Sequence, residues 1–600
     1  MVKKLLMGNE AIARGAVEAG LNLAAAYPGT PSSEIVGTLA EWAKDFNFYA
    51  EWSVNEKVAL EVAAGAAYAG AYSLVAMKQV GLNVASDPLM SVAYIGVKGA
   101  LVVVVADDPG PHSSQTEQDT RCFAKFAKLP VFDPASPEEA LEMTKAAFEL
   151  SHHYQMPVFL RPTTRVCHAT AGIQEGEVQK NDPEGFIKDS KWVIFPKLSY
   201  QRHLWLEEQK IKLAQEFSSG RWNTIQSGNR IGIAVSGVSF LYVTEAVARL
   251  GIHPTILKIG TPFPAPEQKI SEFLTQVDEV IVIEELDPVL EENIISLAGK
   301  TGFRGTVYGK ISGDLPKAGE YSIDLVVKTL QRLCKVDKTE EIETNHKITE
   351  PPELPVRPPV LCAGCPHRAS FYAVKAATKG ANAIYTGDIG CYTLGNAAPL
   401  SMVDTCLCMG AGITIAQGLL QTDPNIPVFA FIGDSTFFHT GIPGVINAVY
   451  NHHPIKIILL DNSTTAMTGH QPHPGMGRTA LGEQTAVIDP VAIIRACGVG
   501  QVETVNPLEL KKAIDAVRRA MDYDGVAAVV MKYPCAATIK SNCIFEIDTQ
   551  ICTNCRRCLR ELGCPALSAA EKPQITSSCY GCGLCSQVCP SGAIKEVRNN

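Results

Sequence analysis

Val428-Phe429-Ala430-Phe431-Ile432-Gly433-Asp434-Ser435 is a short strand, apolar on both faces, that stops in Gly-Asp. A helix-like stretch over 441–453 follows, and a second apolar run, 455–462, ends in Asp-Asn. Strands that are apolar throughout belong to a parallel sheet with both faces covered by helices. The carboxyl ends of such strands form the ligand-binding edge. The first run therefore delivers the Asp434 carboxylate to that edge, and the second delivers Asn462 beside it. Two hard oxygen ligands completed by phosphate oxygens make a magnesium–diphosphate site. Gly, Asp and Asn are equally at home in plain strand-end turns, so the two motifs alone leave both readings open.

The same alternation organises the rest of the chain. Residues 1–175 set helix-like, small-residue segments such as VNEKVALEVAAGAA between apolar runs such as ALVVVVAD, which predicts a doubly wound α/β unit. A polar, charged stretch over 176–229, with some helix of its own, connects it to a smaller α/β unit at 230–336, built on RIGIAVSG, PTILKIG and DEVIVIEE. A linker rich in Glu, Thr and Pro spans 337–358. The third α/β unit covers 359–541 and a cysteine-rich tail covers 542–600. The expected fold class is α/β, three doubly wound parallel-sheet units followed by a small cluster-binding domain. Fold alone assigns no activity.

The tail carries Cys552-x2-Cys555-x2-Cys558 with Cys564 behind it, then Cys579-x2-Cys582-x2-Cys585-x3-Cys589. This is the spacing of bacterial two-cluster ferredoxins, in which the fourth cysteine of each run reaches across to the other 4Fe–4S cube. The predicted sets are Cys552, Cys555, Cys558 and Cys589 for one cluster, and Cys564, Cys579, Cys582 and Cys585 for the other. Zinc sites usually close with two CxxC pairs or with histidines, and neither run contains a histidine. Disulfides need an oxidising compartment, and the start MVKKLLMGNE has no apolar signal core, so a cytoplasmic protein is expected. Five residues separate Cys558 from Cys564 where the standard run has three. That leaves a three-iron or displaced cluster open.

A further CxxC, Cys362-Ala363-Gly364-Cys365, precedes a helix-like stretch, Cys391 follows in TGDIGCYTLG, and Cys535 lies in MKYPCAA. Two ligands from one loop and two from distant strand ends can enclose a cube. A two-cysteine redox motif would leave Cys391 and Cys535 unexplained. Cys122, Cys167, Cys334, Cys406, Cys408, Cys497 and Cys543 are taken as small apolar residues.

A net charge of −9 gives no basic surface for nucleic acid or anionic membrane. The longest apolar runs are strand-length, far short of the ~20 residues that span a bilayer. Six hundred residues suffice for several cores.

Gly433, Asp434 and Asn462 resemble the magnesium motif of thiamine diphosphate enzymes, Gly-Asp-Gly with a later Asn, except that Ser435 replaces the second glycine. The resemblance implies cofactor binding by Gly433, Asp434, Ser435, Asn462 and Thr464, with Mg2+ held by Asp434, Asn462 and the Thr464 carbonyl. It also implies a buried glutamate, from a separate pyrimidine-binding unit, that activates the cofactor. Glu51, Glu56 and Glu61 are the candidates, and Glu56 is chosen because it precedes the tightly packable AAGAA face. Tyr27-Pro28-Gly29-Thr30-Pro31 resembles a segment of the 2-oxoacid:ferredoxin oxidoreductases, in which the threonine contacts the substrate carboxylate. Thr30 would do so here. The same family holds a proximal 4Fe–4S cluster with a cysteine pattern matched by Cys362, Cys365, Cys391 and Cys535.

Among these enzymes the likeness over the whole chain is to the indolepyruvate:ferredoxin oxidoreductase large subunits. That likeness implies a pair of thiamine diphosphate-binding folds, a middle domain like the transketolase C-terminal one, and the two-cluster tail. It implies oxidative decarboxylation of aryl pyruvates with coenzyme A and ferredoxin, three clusters, and a smaller second subunit. Pyruvate or 2-oxoglutarate as substrate, a non-redox decarboxylase and a non-catalytic electron-transfer subunit are the competing readings.

Overall fold

The structure, a computed structural model, describes residues 3–336, 354–355, 357–541 and 543–598. The linker expected over 337–358 lies largely outside the described residues. The chain forms two compact units, Met1–Pro351 and Pro352–Asn600.

In the first unit a six-stranded sheet has the order Tyr49–Trp52, Leu23–Ala26, Tyr72–Lys78, Ala100–Ala106, Val158–Leu160, Val131–Phe132, every pair parallel. Ala100–Ala106 is fully buried because helices cover both faces of the sheet. The helix Glu56–Tyr68 turns Ala59, Leu60, Ala63, Ala64 and Ala67 inward, and these small residues let it approach the strands closely. Asn55 caps it, its Oδ1 accepting from Val58 N at 2.9 Å. One feature departs from the expected parallel pattern: Lys3–Met7 pairs antiparallel with Thr170–Gln174.

The second sheet of this unit has the order Val307–Tyr308, Glu279–Ile283, Asn229–Ser236, Pro254–Ile259, Asn223–Gln226, the last strand antiparallel. That edge strand comes from the stretch read as a connector, as does the helix Pro196–Ser219, which buries Leu206, Leu213 and Phe217. Their polar composition matches elements with only one face against the core.

A buried ionic seam joins the two sheets. The Arg121 guanidinium, 1% exposed, donates to Asp119 at 2.5 Å and Glu284 at 2.8 Å, and Arg161 donates to Asp107 at 2.7 Å and Asp133 at 3.2 Å. Glu285, which accepts from Tyr321 N, is the fifth carboxylate here. Burial pushes it up to about 7, with Tyr321 N–H and Arg161 only partly opposing. A carboxyl raised in the folded state stabilises below its ordinary range and loses that contribution as pH rises through 7. Glu285→Gln keeps the neutral shape, so it should gain stability on wild type as pH climbs from 5 to 8, by about 3 kcal/mol at the top. Urea unfolding across that range checks it, and parallel pH profiles would refute it.

The second unit holds a five-stranded parallel sheet in the order Ile384–Thr386, Val428–Gly433, Lys456–Asp461, Ala527–Lys532, Gln501–Val505. Phe429, Phe431, Ile458 and Leu460 enter one core, whereas Val428, Ala430, Ile432, Ile457 and Leu459 enter the other. The period-two alternation of a strand thus feeds two apolar layers, which is why these strands carry no polar face. The helix after Val428–Gly433 begins at Asp434, earlier than the sequence pattern suggests, and passes through a π-type turn at Phe437–Gly441.

In the tail, Cys543–Ile547 pairs with Ile594–Arg598, and Leu567–Ala569 with Pro573–Ile575, both antiparallel. Leu562, Leu584 and Val588 of the tail join the core around Phe371 and Phe431. The tail is therefore packed into the neighbouring sheet unit. The long spacing after Cys558 is taken up by the helix Arg557–Leu562, which Gly563 ends in the left-handed region at φ 59°. A Cβ on Gly563 would meet Pro399 at 2.4 Å, so only glycine lets the chain turn here and present Cys564.

Candidate active site

Four adjacent strands of the second unit deliver their carboxyl ends side by side. The first ends toward Asp388 and Cys391, the second in Asp434, the third at Asn462 and the fourth toward Cys535. Asp434, 4% exposed, accepts from Ser435 N at 2.8 Å, Asn462 N at 3.1 Å and Ser463 N at 2.8 Å. Burial raises its pKa, but the His473 imidazole, Ser435 N–H and His367 outweigh burial and hold it below the usual carboxylate range. His473 Nε2 lies 3.2 Å from Asp434 Oδ2 without an aligned hydrogen bond. Thr464 N donates to Asn462 Oδ1 at 3.3 Å, while the buried Thr464 hydroxyl has no partner. The ionised Asp434 carboxylate and the Asn462 amide oxygen, with the unpartnered Thr464 hydroxyl beside them, make a hard-oxygen edge that fits a hard cation with a diphosphate.

The cysteines gather against this edge. Cys535 N donates to the Asn462 carbonyl at 3.0 Å, which ties the Pro-Cys segment to the Asn strand end. Burial pushes the Cys391 thiol up to about 11, with Cys535 and Cys362 adding to it. Cys365 is pushed to about 12 by burial, with a smaller contribution from Cys362. The Tyr392 ring, next to Cys391, lies where a Cβ on Gly433 would be, 2.5 Å from that position, and its hydroxyl donates to Thr436 at 3.1 Å. Cys362, Cys365, Cys391 and Cys535 thus stand as one set beside Asp434.

In the tail, burial raises Cys558, and Cys555, Cys589 and Cys552 add to the shift. Cys585 rises to about 12 through burial, with Cys582, Cys579 and Cys564 beside it. Cys564, Cys579, Cys582 and Cys585 line one cavity, shared with Gly364, Cys365 and Arg368. Among the described residues no three metal-binding side chains close on a point that could hold one ion. Thiols grouped in fours are the donor set that a cube takes, its thiolates spaced around four irons.

The first unit presents its own carboxyl edge. Glu56 is 5% exposed, whereas Glu51 binds Ser53 and Tyr49, and Glu61 pairs with Lys57 at the surface. Gly81 makes room for Glu56: a Cβ there would stand 2.5 Å from its Oε1. Thr30 sits in the turn before the helix Ser33–Phe46, and its carbonyl accepts from the Ser113 hydroxyl at 2.9 Å. Lys78 donates to the Ser113 carbonyl at 2.7 Å, and its stem lies against Gly29. Burial lowers the Lys78 pKa, against the pull of Asp108 and Glu56, so these groups share one corner. His112 borders that corner: its backbone N–H bonds to Asp108, while its half-exposed ring pairs with Glu320 at 3.3 Å.

Several residues of the second edge escaped the sequence reading. His367 is driven to about 4 by burial, with Asp434 opposing, and its Nε2 faces Asn462 Nδ2 at 3.3 Å. Asp388 rises to about 7 through burial, against hydrogen bonds from Ile389, Gly410 and Gly412 N–H. His473, in the HQPHPGMG loop, offered only a histidine between prolines as a signal. Cys122, Cys406 and Cys408, taken as apolar, are exposed, the last two because their loop runs over the sheet edge.

Known protein families match three parts of this chain. The thiamine pyrophosphate enzyme C-terminal TPP-binding domain matches 388–531, the thiamine diphosphate-binding domain of pyruvate flavodoxin/ferredoxin oxidoreductases matches 14–191, and a 4Fe-4S binding domain matches 573–595. The indolepyruvate oxidoreductase subunit IorA of Methanothermobacter marburgensis is 43% identical over 98% of this chain and 97% of its own. That of Archaeoglobus fulgidus is 42% identical over 100% and 98%. The 2-oxoglutarate synthase subunit KorA of Archaeoglobus fulgidus is 25% identical over 47% of this chain and 88% of its own. With these matches beside the two strand-end edges and the grouped thiols, the chain belongs to the indolepyruvate oxidoreductase subunit IorA family, thiamine diphosphate-dependent 2-oxoacid:ferredoxin oxidoreductases with 4Fe–4S clusters.

Proposed function

We propose that this chain is the large subunit of an enzyme that oxidatively decarboxylates aryl pyruvates: indolepyruvate, phenylpyruvate and 4-hydroxyphenylpyruvate. Coenzyme A and oxidised ferredoxin are the co-substrates, and aryl-acetyl-CoA, carbon dioxide and reduced ferredoxin the products. The observation that supports the redox reading is the Cys535 N to Asn462 carbonyl bond of 3.0 Å, which ties the cysteine proposed as a cluster ligand to the strand end proposed to hold the cofactor. The substrate class rests on full-length identity to the IorA relatives, while likeness to the 2-oxoglutarate subunit covers only 47% of the chain.

When bound, thiamine diphosphate supplies the carbanion chemistry that breaks a carboxylate–ketone bond. Asp434, Asn462 and the Thr464 carbonyl would hold Mg2+ and Gly433 and Ser435 would border the diphosphate. Glu56 would hold the proton that switches the aminopyrimidine, and Thr30 would orient the substrate carboxylate. Cys362, Cys365, Cys391 and Cys535 would hold the proximal of three cubes. The two tail cubes, one on Cys552, Cys555, Cys558 and Cys589 and one on Cys564, Cys579, Cys582 and Cys585, would pass electrons outward to ferredoxin. The IorA names denote subunits, which supports a smaller partner chain. No described helix is long and apolar enough to cross a membrane, and a cytoplasmic site of action fits the oxygen-sensitive cofactors.

The test is anaerobic purification with the smaller subunit, followed by coenzyme A-dependent ferredoxin reduction across a panel of 2-oxoacids. Indolepyruvate should turn over best. Turnover of pyruvate or 2-oxoglutarate with indolepyruvate at background would overturn the substrate assignment.

A further inference from the structure

Arg368 follows the Cys362–Cys365 loop by three positions and is 4% exposed. Its Nη2 donates to the Leu361 carbonyl at 2.5 Å, in the loop of the first thiol set. Its Nη1 donates to the carbonyls of Leu562 at 2.6 Å and Gly563 at 2.9 Å, immediately before Cys564. One side chain thus staples the CxxC loop to the tail. Nearby, Gly364, in the left-handed region at φ 76°, lets that loop approach Tyr580, which a Cβ would meet at 2.5 Å.

Two facts exceed a structural staple. The Arg368 Nε–H is buried and has no hydrogen-bond partner, a state that costs about 1–3 kcal/mol unless an acceptor arrives. The same side chain lines the cavity formed by Cys564, Cys579, Cys582 and Cys585. A guanidinium keeps its charge at any working pH, and hydrogen bonds and charge at cluster sulfur set reduction potential.

Building on the cluster assignment above, we propose that Arg368 donates its Nε–H to sulfur of the cluster held by Cys564, Cys579, Cys582 and Cys585. The donated bond and the positive charge raise that cluster's potential, so electrons leaving the proximal set are drawn into the tail.

The test uses the full chain with its partner subunit under anaerobic conditions, and redox titration followed by electron paramagnetic resonance. R368Q should move one tail cluster to more negative potential, lowering its share of electrons at least tenfold, about 59 mV for a one-electron couple. R368K keeps the charge and loses the Nε donor, so it should move the same cluster by less. The second tail cluster is the internal reference and should stay. Unchanged potentials in both variants at full iron content would overturn the proposal. Should either variant lose iron, wild-type protein labelled with 15N at arginine Nε decides: a nitrogen coupling on the reduced cluster supports the bond, and its absence refutes it. These readouts are separate from turnover, so a failed substrate assignment leaves them intact, and a failed Arg368 result leaves that assignment intact.

Discussion

Glu56→Gln should lower ferredoxin reduction by about 10²- to 10⁴-fold, the span of a lost acid–base group, with the fold and iron content unchanged. The helix Glu56–Tyr68 is started by Asn55, whose side chain takes the Val58 N–H, so the cap survives the change. Gln also fills the volume that Gly81 leaves for the carboxylate. What disappears is a carboxyl that can exchange a proton from a site only 5% exposed. Gly81→Ala provides a second arm with Glu56 present. Its Cβ would intrude to 2.5 Å from Oε1, and the flexible carboxylate end would shift. Activity should fall in this variant as well, though less. Glu56→Gln retaining half or more of wild-type turnover would remove Glu56 from the mechanism.

Cys535→Ser should abolish ferredoxin reduction and lower iron from ~12 to ~8 atoms per chain, the content of one cube. The backbone bond from residue 535 to the Asn462 carbonyl does not involve the side chain, so the cofactor edge keeps its support. Carbon dioxide release should therefore persist at a low rate, with aldehyde rather than thioester as product, since the electrons have no cluster to enter. Iron analysis together with product identification checks this. Iron content equal to wild type would show that Cys535 holds no metal.

The α/β class was legible because it rests on local periodicity. Val428–Gly433 and Lys456–Asp461 are apolar at every second position on both faces, which only a sheet covered twice can bury. The tail was legible for a similar reason, since a CxxCxxC run states its chemistry within a few residues. His367, His473, Asp388 and Lys78 were not legible. Their importance lies in burial and in partners contributed by other strands, and nothing adjacent in the chain signals either. The edge strand Asn223–Gln226 was missed because it presents a single face to the core and so looks like linker.

By itself the sequence determined which residue types are available: a Gly-Asp strand end, a buried-glutamate candidate and three groups of thiols at cluster spacing. Only the tertiary structure decided who stands beside whom. The strand order 384–386, 428–433, 456–461, 527–532 sets the Cys391 and Cys535 segments on either side of Asp434 and Asn462. Gly563 ends a helix so that Cys564 faces the other tail run, and Arg368 closes that face onto the Cys362–Cys365 loop. The physical reason is that strand order and helix docking are chosen by burying apolar area between segments distant in the chain, and no local pattern of residues encodes that choice.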